Sequence, residues 1–327
     1  MKKLYFIVNP AARNGFCLEI WKKVEKELQN RNVDYQSYFT EFSGHAKEIA
    51  AQISKEVPKE NKIVIAVGGD GTVHEIINGI INFPHIAFGF IPGGSGNDFS
   101  RGFCIPSKPD AALAAILKLV NYDGFLTDVG KISQIDSSEN YFINNMGAGL
   151  DALISYEVNK SRAKGFLNRL SLGRLVYAYF LLKKLATYKL TTLEVRIDGQ
   201  EISFVDSWFI TVSNQPFYGG GMKIAPAAIM NDGLFDITVV HRLSRIKMLF
   251  VFVSVFWGKH IYFKEVKTYK GKSISIRSSA PIFVHADGEH IGCTPLEIEL
   301  LEGALRVVTS METQIDNLKG REMNEFQ

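Results

Sequence analysis

Four segments of this chain combine glycine, hydroxyl and carboxylate groups in a way that suits a phosphate or its metal ion. They are Asn9-Pro10-Ala11-Ala12-Arg13-Asn14-Gly15, Thr40-Glu41, Gly68-Gly69-Asp70-Gly71-Thr72 and Pro92-Gly93-Gly94-Ser95-Gly96-Asn97-Asp98. Glycine lets a backbone approach an anion closely and adopt positive φ. N–H groups at the start of a following helix point at a phosphate, and the helix dipole adds to the attraction. The hydroxyls of Thr40, Thr72 and Ser95 can add hydrogen bonds. Asp70 is the odd member, because a carboxylate beside a polyphosphate repels it unless a cation lies between them. That points to Mg²⁺ held through water, since Mg²⁺ sheds its hydration reluctantly. One such turn is explained by tight strand–helix packing alone, but several in register at one sheet edge are not. The pattern GxxxxGK[ST] is absent, and Gly68-Gly69-Asp70-Gly71 is a poor dinucleotide fingerprint.

The elements that must carry these turns alternate. Residues 4–8, 63–67 and 86–91 are short continuous apolar runs, as expected of strands buried on both faces, and 33–39 alternates and is rich in β-formers. Between them, 18–29, 46–55, 73–81 and 110–120 have helical spacing of apolar residues. This predicts an α/β domain with a doubly wound parallel sheet, whose ligands bind at the carboxyl ends of its strands. The pattern changes near Asp128. Residues 193–197 and 201–204 flank Asp198-Gly199, a strong hairpin signal. Further strands are expected at 208–212, 235–240, 273–276, 282–286 and 304–308, with helical inserts at about 166–186 and around Met248. An antiparallel β domain is the reading, with a polar tail after Met311.

Bulk properties exclude several classes. A chain of 327 residues is long for a single core and implies two domains, and 46% hydrophobic residues suit a globular protein. A net charge of +3 does not call for nucleic acid. Cys17, Cys104 and Cys293 are far apart and in no metal-ligand spacing, which fits a reducing compartment. The apolar run after Met1-Lys2-Lys3 is cut by Asn9-Pro10 and is too short for a signal-peptide core. The apolar stretch 248–257 falls short of the ~20 residues needed to span a bilayer and reads as a buried or interfacial helix.

Together these residues resemble the diacylglycerol kinase catalytic-domain family, which includes soluble bacterial lipid kinases and the sphingosine and ceramide kinases. The resemblance rests on Asn9-Pro10, GGDGT at 68–72 with Glu75 and Asn78-Gly79 behind it, and GGSGNDF at 93–99. It continues through Thr127-Asp128-Val129-Gly130, FINNMGAGLDA at 142–152, Gly219-Gly220-Gly221-Met222, Asn231-Asp232-Gly233-Leu234 and Asp287-Gly288-Glu289. GGDGT is shared with NAD kinases; the ordered set is far more specific. The resemblance implies a nucleotide-binding α/β domain over 1–128, to which about 300–327 return. It also implies a lipid-binding antiparallel β-sandwich over 129–299, and an active site in the cleft between the domains. ATP would be bound by Asn9, Pro10, Arg13, Thr40, Gly68, Gly69, Asp70, Gly71, Thr72, Glu75, Gly94, Ser95 and Asn97. Asp70 would position the catalytic Mg²⁺ with Asp128 and Glu289, and Asp287 would take the proton from a lipid hydroxyl. A structural divalent metal would use the Asp232 carboxylate and the carbonyls of Ile229 and Leu234. His74 stands where many bacterial members have asparagine.

The implied activity is ATP-dependent phosphorylation of a diacylglycerol-like lipid by a cytoplasmic protein that associates peripherally with membrane, with a homodimer left open. A sphingoid-base or ceramide kinase, an NAD kinase and a catalytically silent regulator are the alternatives. Blander readings stand beside the specific ones. Asp287-Gly288 and Asn231-Asp232-Gly233 also read as turns. His45, His85, His241, His260, His285 and His290 show no ligand spacing and read as surface or satisfied core. The basic, aromatic-interleaved stretch from Lys160 to Lys184 reads either as a dock for anionic headgroups or as a solvated basic face. The 248–257 segment reads as core or as the wall of an acyl-chain pocket.

Overall fold

The computed structural model describes residues 2–56, 62–160 and 173–309, and the chain divides into two units, 1–127 with 304–327, and 128–303. The first unit alternates as β1 (Lys3–Val8), α1 (Phe16–Asn30), β2 (Tyr35–Phe39), α2 (His45–Glu56), β3 (Lys62–Gly68), α3 (Asp70–Ile80) and β4 (Ile86–Pro92). A short α4 (Asp98–Gly102) and then α5 (Pro109–Leu119) follow. β3 and β4 are buried along their whole length, as apolar strands covered on both faces must be. The strands are parallel in the order β2–β1–β3–β4. Because β2 and β3 lie on opposite sides of β1, the winding reverses there and opens a crevice at the carboxyl ends of β1 and β3. The apolar stripe of α1 (Ile20, Trp21, Val24, Leu28) packs on Leu4, Phe6 and Val8 of β1 and Ile63, Ile65 and Val67 of β3.

Asp70, Gly71 and Thr72, expected in a loop, form the first turn of α3. Gly69 ends the strand in extended conformation and caps the helix, so the acidic Asp70 sits at the favourable end of the helix dipole. The five-residue α4 was not foreseen, being too short to show a period.

β5 (Phe125–Gln134) leads into the second unit. It is followed by β6 (Glu139–Phe142), β7 (Asn145–Gly149), α6 (Leu150–Lys160), α7 (Gly173–Leu185), β8 (Thr191–Ile197) and β9 (Gln200–Ser213). A small ribbon, β10 (Phe217–Tyr218) with β11 (Met222–Lys223), precedes β12 (Phe235–His241), α8 (Arg245–Val255) and a 3₁₀ turn (Lys259–Tyr262). The unit ends with β13 (Val266–Gly271), β14 (Ser273–Ser278), β15 (Phe283–Ala286), β16 (Glu289–Cys293) and β17 (Leu296–Val307). Pairing among strands of this unit is antiparallel, and the fold is a β-sandwich. The expected hairpin is β8–β9, with Asp198 and Gly199 both at positive φ.

β9 absorbs the strand expected at 208–212 and acts as a corner. Residues 200–207 pair with β8, whereas 209–213 pair with β7 on one side and β12 on the other. Asp206, at φ 51°, marks the bend that lets one strand serve both layers. Between the layers lie Phe142, Val195, Ile210, Val212, Phe235, Ile237 and Ile276. The expected insert at 166–186 is described only as α7, and its earlier residues lie outside the described ones, as do 310–327.

Gly79 explains itself by packing. A Cβ there would lie 2.6 Å from the Lys47 carbonyl oxygen and 2.8 Å from Ala50 Cβ, so α2 and α3 touch where Gly79 has no side chain. Gly79→Val is expected to destabilise the protein by about 1–3 kcal/mol through overpacking, read as a lowered urea midpoint.

Candidate active site

The carboxyl ends of β1, β2, β3 and β4 bring Asn9, Thr40, Gly69 and Gly93 to one edge of the first unit. Two links tie the crevice together. Asn9 donates its backbone N–H to the Val67 carbonyl at 2.9 Å and its Nδ2 to Thr72 Oγ1 at 3.1 Å. Gly93 N–H donates to the Gly68 carbonyl at 2.7 Å. The glycines are there because backbones meet. A Cβ on Gly94 would stand 2.4 Å from Gly69 Cα, and one on Gly68 would stand 2.5 Å from Thr72 Oγ1. Under this rim lies the Cys17 thiol, which donates to the Val67 carbonyl and whose pKa burial pushes up to about 12, so it is inert packing.

The carboxylate of Asp70 accepts from the Phe99 N–H at 3.1 Å, and its other oxygen lies beside Gly96, so it bridges α3 to the start of α4. Asn97 holds a left-handed conformation, its Nδ2 donates to the Gly94 carbonyl at 3.2 Å, and its Oδ1 is buried without a partner. Ser95 is exposed at the tip of the same loop. Pro10 sits in the turn after β1, where Asn9 Oδ1 accepts from Ala11 N–H at 3.1 Å. Arg13, Asn14 and Gly15 are consecutive residues at positive φ, and the exposed Arg13 guanidinium lies 4.8 Å from the Phe16 ring. Glu75 is engaged elsewhere than the sequence suggests. Its two oxygens accept from Gly44 N–H (2.8 Å) and Ala46 N–H (3.1 Å), capping α2 and fixing the turn that follows Thr40.

In the second unit, Asp287 and Gly288 form the β15–β16 turn, both at positive φ. The Asp287 carboxylate is held by the backbone N–H groups of Ile143 (3.1 Å), Asn144 (2.8 Å) and Asn145 (3.2 Å). α6 braces the turn from behind, Ser155 Oγ and Asn159 Nδ2 both donating to the Gly288 carbonyl. Glu289 follows at the start of β16, partly exposed. Asp128 differs from the metal-facing role expected of it. It is 1% exposed, and its oxygens accept from Gly233 N–H (2.9 Å) and Gly303 N–H (2.8 Å). Burial raises its pKa against the pull of those two N–H groups.

Sequence reasoning missed a buried pair. His285 Nδ1 accepts from the Gly288 N–H at 3.2 Å, and His285 Nε2 lies 3.4 Å from Asp151 Oδ2, with the Tyr218 ring stacked on the imidazole. Asp151 also lines a cavity of about 60 Å³ that opens to solvent, whose remaining walls include Leu150, Ile154, Leu181, Phe209, Met222, Met248, Val251, Phe252 and Val255. The signal was Gly147 in the FINNMGAGLDA stretch. A Cβ there would lie 2.0 Å from Asp151 Oδ2 and 2.6 Å from His285 Nε2, so only glycine leaves room for the pair. Of the stretch 248–257, Met248, Val251, Phe252 and Val255 wall this cavity.

Comparison with known proteins agrees with this geometry. Residues 3–123 match the family model described as the diacylglycerol kinase catalytic domain, and 144–309 match the YegS C-terminal NAD kinase beta sandwich-like domain. The chain is 36% identical over 311 residues to a Bacillus subtilis protein named "Putative lipid kinase YtlR", covering 94% of this chain and 100% of that one. It is 30% identical to a Mycobacterium tuberculosis diacylglycerol kinase over 94% of each chain. The chain belongs to the diacylglycerol kinase catalytic-domain family. Among solved structures, one from Bacillus anthracis titled as a "putative diacylglycerol kinase" matches with TM-score 0.75 at 26% identity, over 94% of this chain and 97% of that one.

The groups that family membership brings to mind fit unequally. The rim fits a nucleotide: side chains are missing where backbones meet, and Asn97 Oδ1 is an acceptor that a ribose hydroxyl or base amine could satisfy. The structural metal expected at Asp232, Ile229 and Leu234 does not fit. Asp232 Oδ1 accepts from Leu234 N–H at 3.1 Å, and Lys270 Nζ stands 3.1 Å from Asp232 Oδ2 and 3.4 Å from Asp236 Oδ2. A lysine ammonium thus supplies the positive charge there. Among the described residues no group of three or more His, Cys, Asp or Glu could hold a metal ion.

Two substitutions check these roles. Glu75→Ala is expected to cost about 0.5–2 kcal/mol of stability by uncapping α2, measured in urea. Asp128→Asn turns a donor toward a backbone N–H and is expected to cost about 1–3 kcal/mol, seen as a drop in melting temperature.

Proposed function

We propose that this protein transfers the γ-phosphoryl group of ATP to the hydroxyl of a diacylglycerol-like lipid. The observation that carries the reading is the apolar cavity in the same unit as the Asp287-Gly288 turn, joined to it by Asp151, His285 and the Gly288 N–H. Its apolar lining suits a hydrocarbon tail and does not suit NAD. Sphingoid bases, ceramides and monoacylglycerols share that tail and differ at the polar end.

In this reading Asn9, Pro10, Arg13, Thr40, the 68–72 segment and Gly94, Ser95 and Asn97 hold the triphosphate and its nucleoside. Backbone N–H groups at the start of α3 do most of the anchoring. Glu75 acts by capping α2 behind Thr40. Asp70 and Glu289 are the carboxylates proposed to hold Mg²⁺, which when bound would neutralise charge on the transferring group. Asp128 serves indirectly by holding Gly233 and Gly303. Asp287 accepts the proton of the lipid hydroxyl as its oxygen bonds to the γ-phosphorus and the bond to the ADP oxygen breaks. Three N–H groups fix the direction in which that carboxylate points. We place the protein in the cytoplasm, at the membrane surface where its lipid lies. Among the described residues no helix is long and apolar enough to cross a membrane.

Transfer of radiolabel from ATP across a panel of diacylglycerol, monoacylglycerol, sphingoid base, ceramide and NAD tests the assignment. Label is expected in a lipid with a free hydroxyl and absent from NAD; ATP binding without transfer to any lipid would favour the silent regulator. Asp287→Asn is expected to lower turnover by roughly 10²–10⁴-fold with nearly unchanged ATP affinity. Its melting curve distinguishes loss of the base from loss of the three N–H contacts.

A further inference from the structure

From Met248 to Val253 α8 is apolar on every side, yet only part of it is covered. Ser244 caps its start by accepting from Lys247 N–H, and Met248, Val251, Phe252 and Val255 face the cavity. Ile246, Phe250 and Val253, at spacings of four and three residues, share another face and are 73%, 65% and 53% exposed, and Trp257 in the turn just past the helix is 67% exposed. Tyr262, in the 3₁₀ turn beyond, is 82% exposed. A helix apolar all round belongs inside a protein or in hydrocarbon. A row of large exposed apolar side chains marks an interaction surface.

The surrounding charge says which kind. From 237 to 264 the chain contains Arg242, Arg245, Lys247, Lys259 and Lys264 and no aspartate or glutamate. Lys247 is paired with Glu265, and Arg245 is bonded to the carbonyls of Leu185 and Tyr188. Arg242, Lys259 and Lys264 are exposed, and so is Lys223, whose Cβ packs near Gly258 beside Trp257. Cations around an apolar helical face, with tryptophan and tyrosine at its end, match an anionic bilayer in both charge and polarity. The same helix walls the cavity, so one helix thickness separates that face from the space proposed for the lipid tail.

We infer that the Ile246–Phe250–Val253 face of α8, with Trp257 just past its end, is the surface that seats this protein on an anionic lipid bilayer, delivering the acceptor lipid beside the cavity. The inference rests on the lipid-kinase reading for the identity of what is delivered. The docking itself does not depend on catalysis.

The tryptophans make the test direct. The chain has three, and Trp21 and Trp208 are each 1% exposed, leaving Trp257 as the solvent-facing reporter. The full-length protein is mixed with vesicles of phosphatidylglycerol and phosphatidylcholine, or of phosphatidylcholine alone, and followed by co-sedimentation and fluorescence. Anionic vesicles are expected to pellet it and shift Trp257 emission to the blue, with quenching by brominated acyl chains. Trp257→Phe is expected to abolish the shift. The double variant Ile246→Gln/Phe250→Gln, altered only at exposed positions, is expected to bind anionic vesicles about tenfold or more weakly. It is also expected to phosphorylate a soluble short-chain diacylglycerol at the wild-type rate. Pelleting without any change at Trp257, or unaltered vesicle binding by the double variant, would overturn the inference. So would a self-association lost in that variant together with no vesicle binding by the wild type. If the wild type docks through Trp257 yet phosphorylates no lipid, the catalytic reading fails and the docking surface stands.

Discussion

Everything at the nucleotide rim depends on two strand ends being allowed to touch. The N–H of Gly93 bonds to the carbonyl of Gly68, and Gly94 lies so close to Gly69 that position 94 has no space for a methyl group and position 69 only a tight one. That contact sets the first turn of α3, whose backbone donors have no partner within the helix, beside the 93–97 loop. Asn9 closes the crevice from β1 through Thr72, and Glu75 fixes the turn after β2 by capping α2. The chemistry of this edge is therefore mostly main-chain chemistry, and the side chains around it serve to hold main chain in place.

The same economy governs the second unit. Asp287 and Asp128 are carboxylates whose oxygens face backbone N–H groups far away in sequence, 142 to 144 residues for Asp287, and 105 and 175 for Asp128. Each joins loops that strand pairing leaves unconnected. Beside the Asp287 turn, His285 pairs with Asp151 of the cavity wall under Gly147. Lys270 between Asp232 and Asp236 plays the corresponding part where a divalent ion had been expected.

Much of the fold was legible because buried parallel strands can only be continuous apolar runs, as β3 and β4 are. The hairpin at Asp198-Gly199 was legible because two successive residues at positive φ demand such a pair. The bend in β9 was not, since it arises from partners on three other strands rather than from anything local. In the site, the glycines announced themselves, whereas Glu75 and Asp128 did not, because a carboxylate that caps a backbone looks in sequence like one that binds a ligand. The Asp151–His285 pair lay hidden for a related reason. Its only local trace is a glycine in a stretch where glycine also suits phosphate.

β17 has a consequence for how the protein is made. Its residues 296–299 pair with β14, while Arg306 and Val307 lie parallel to Ala87 and Phe88 of β4. During synthesis β4 leaves the ribosome more than two hundred residues before the strand that covers its edge. Until then the first unit presents an open row of backbone donors and acceptors, the kind of template onto which other chains can add. An N-terminal fragment ending near residue 127 keeps that edge bare, open to pairing with another chain until Arg306 and Val307 arrive.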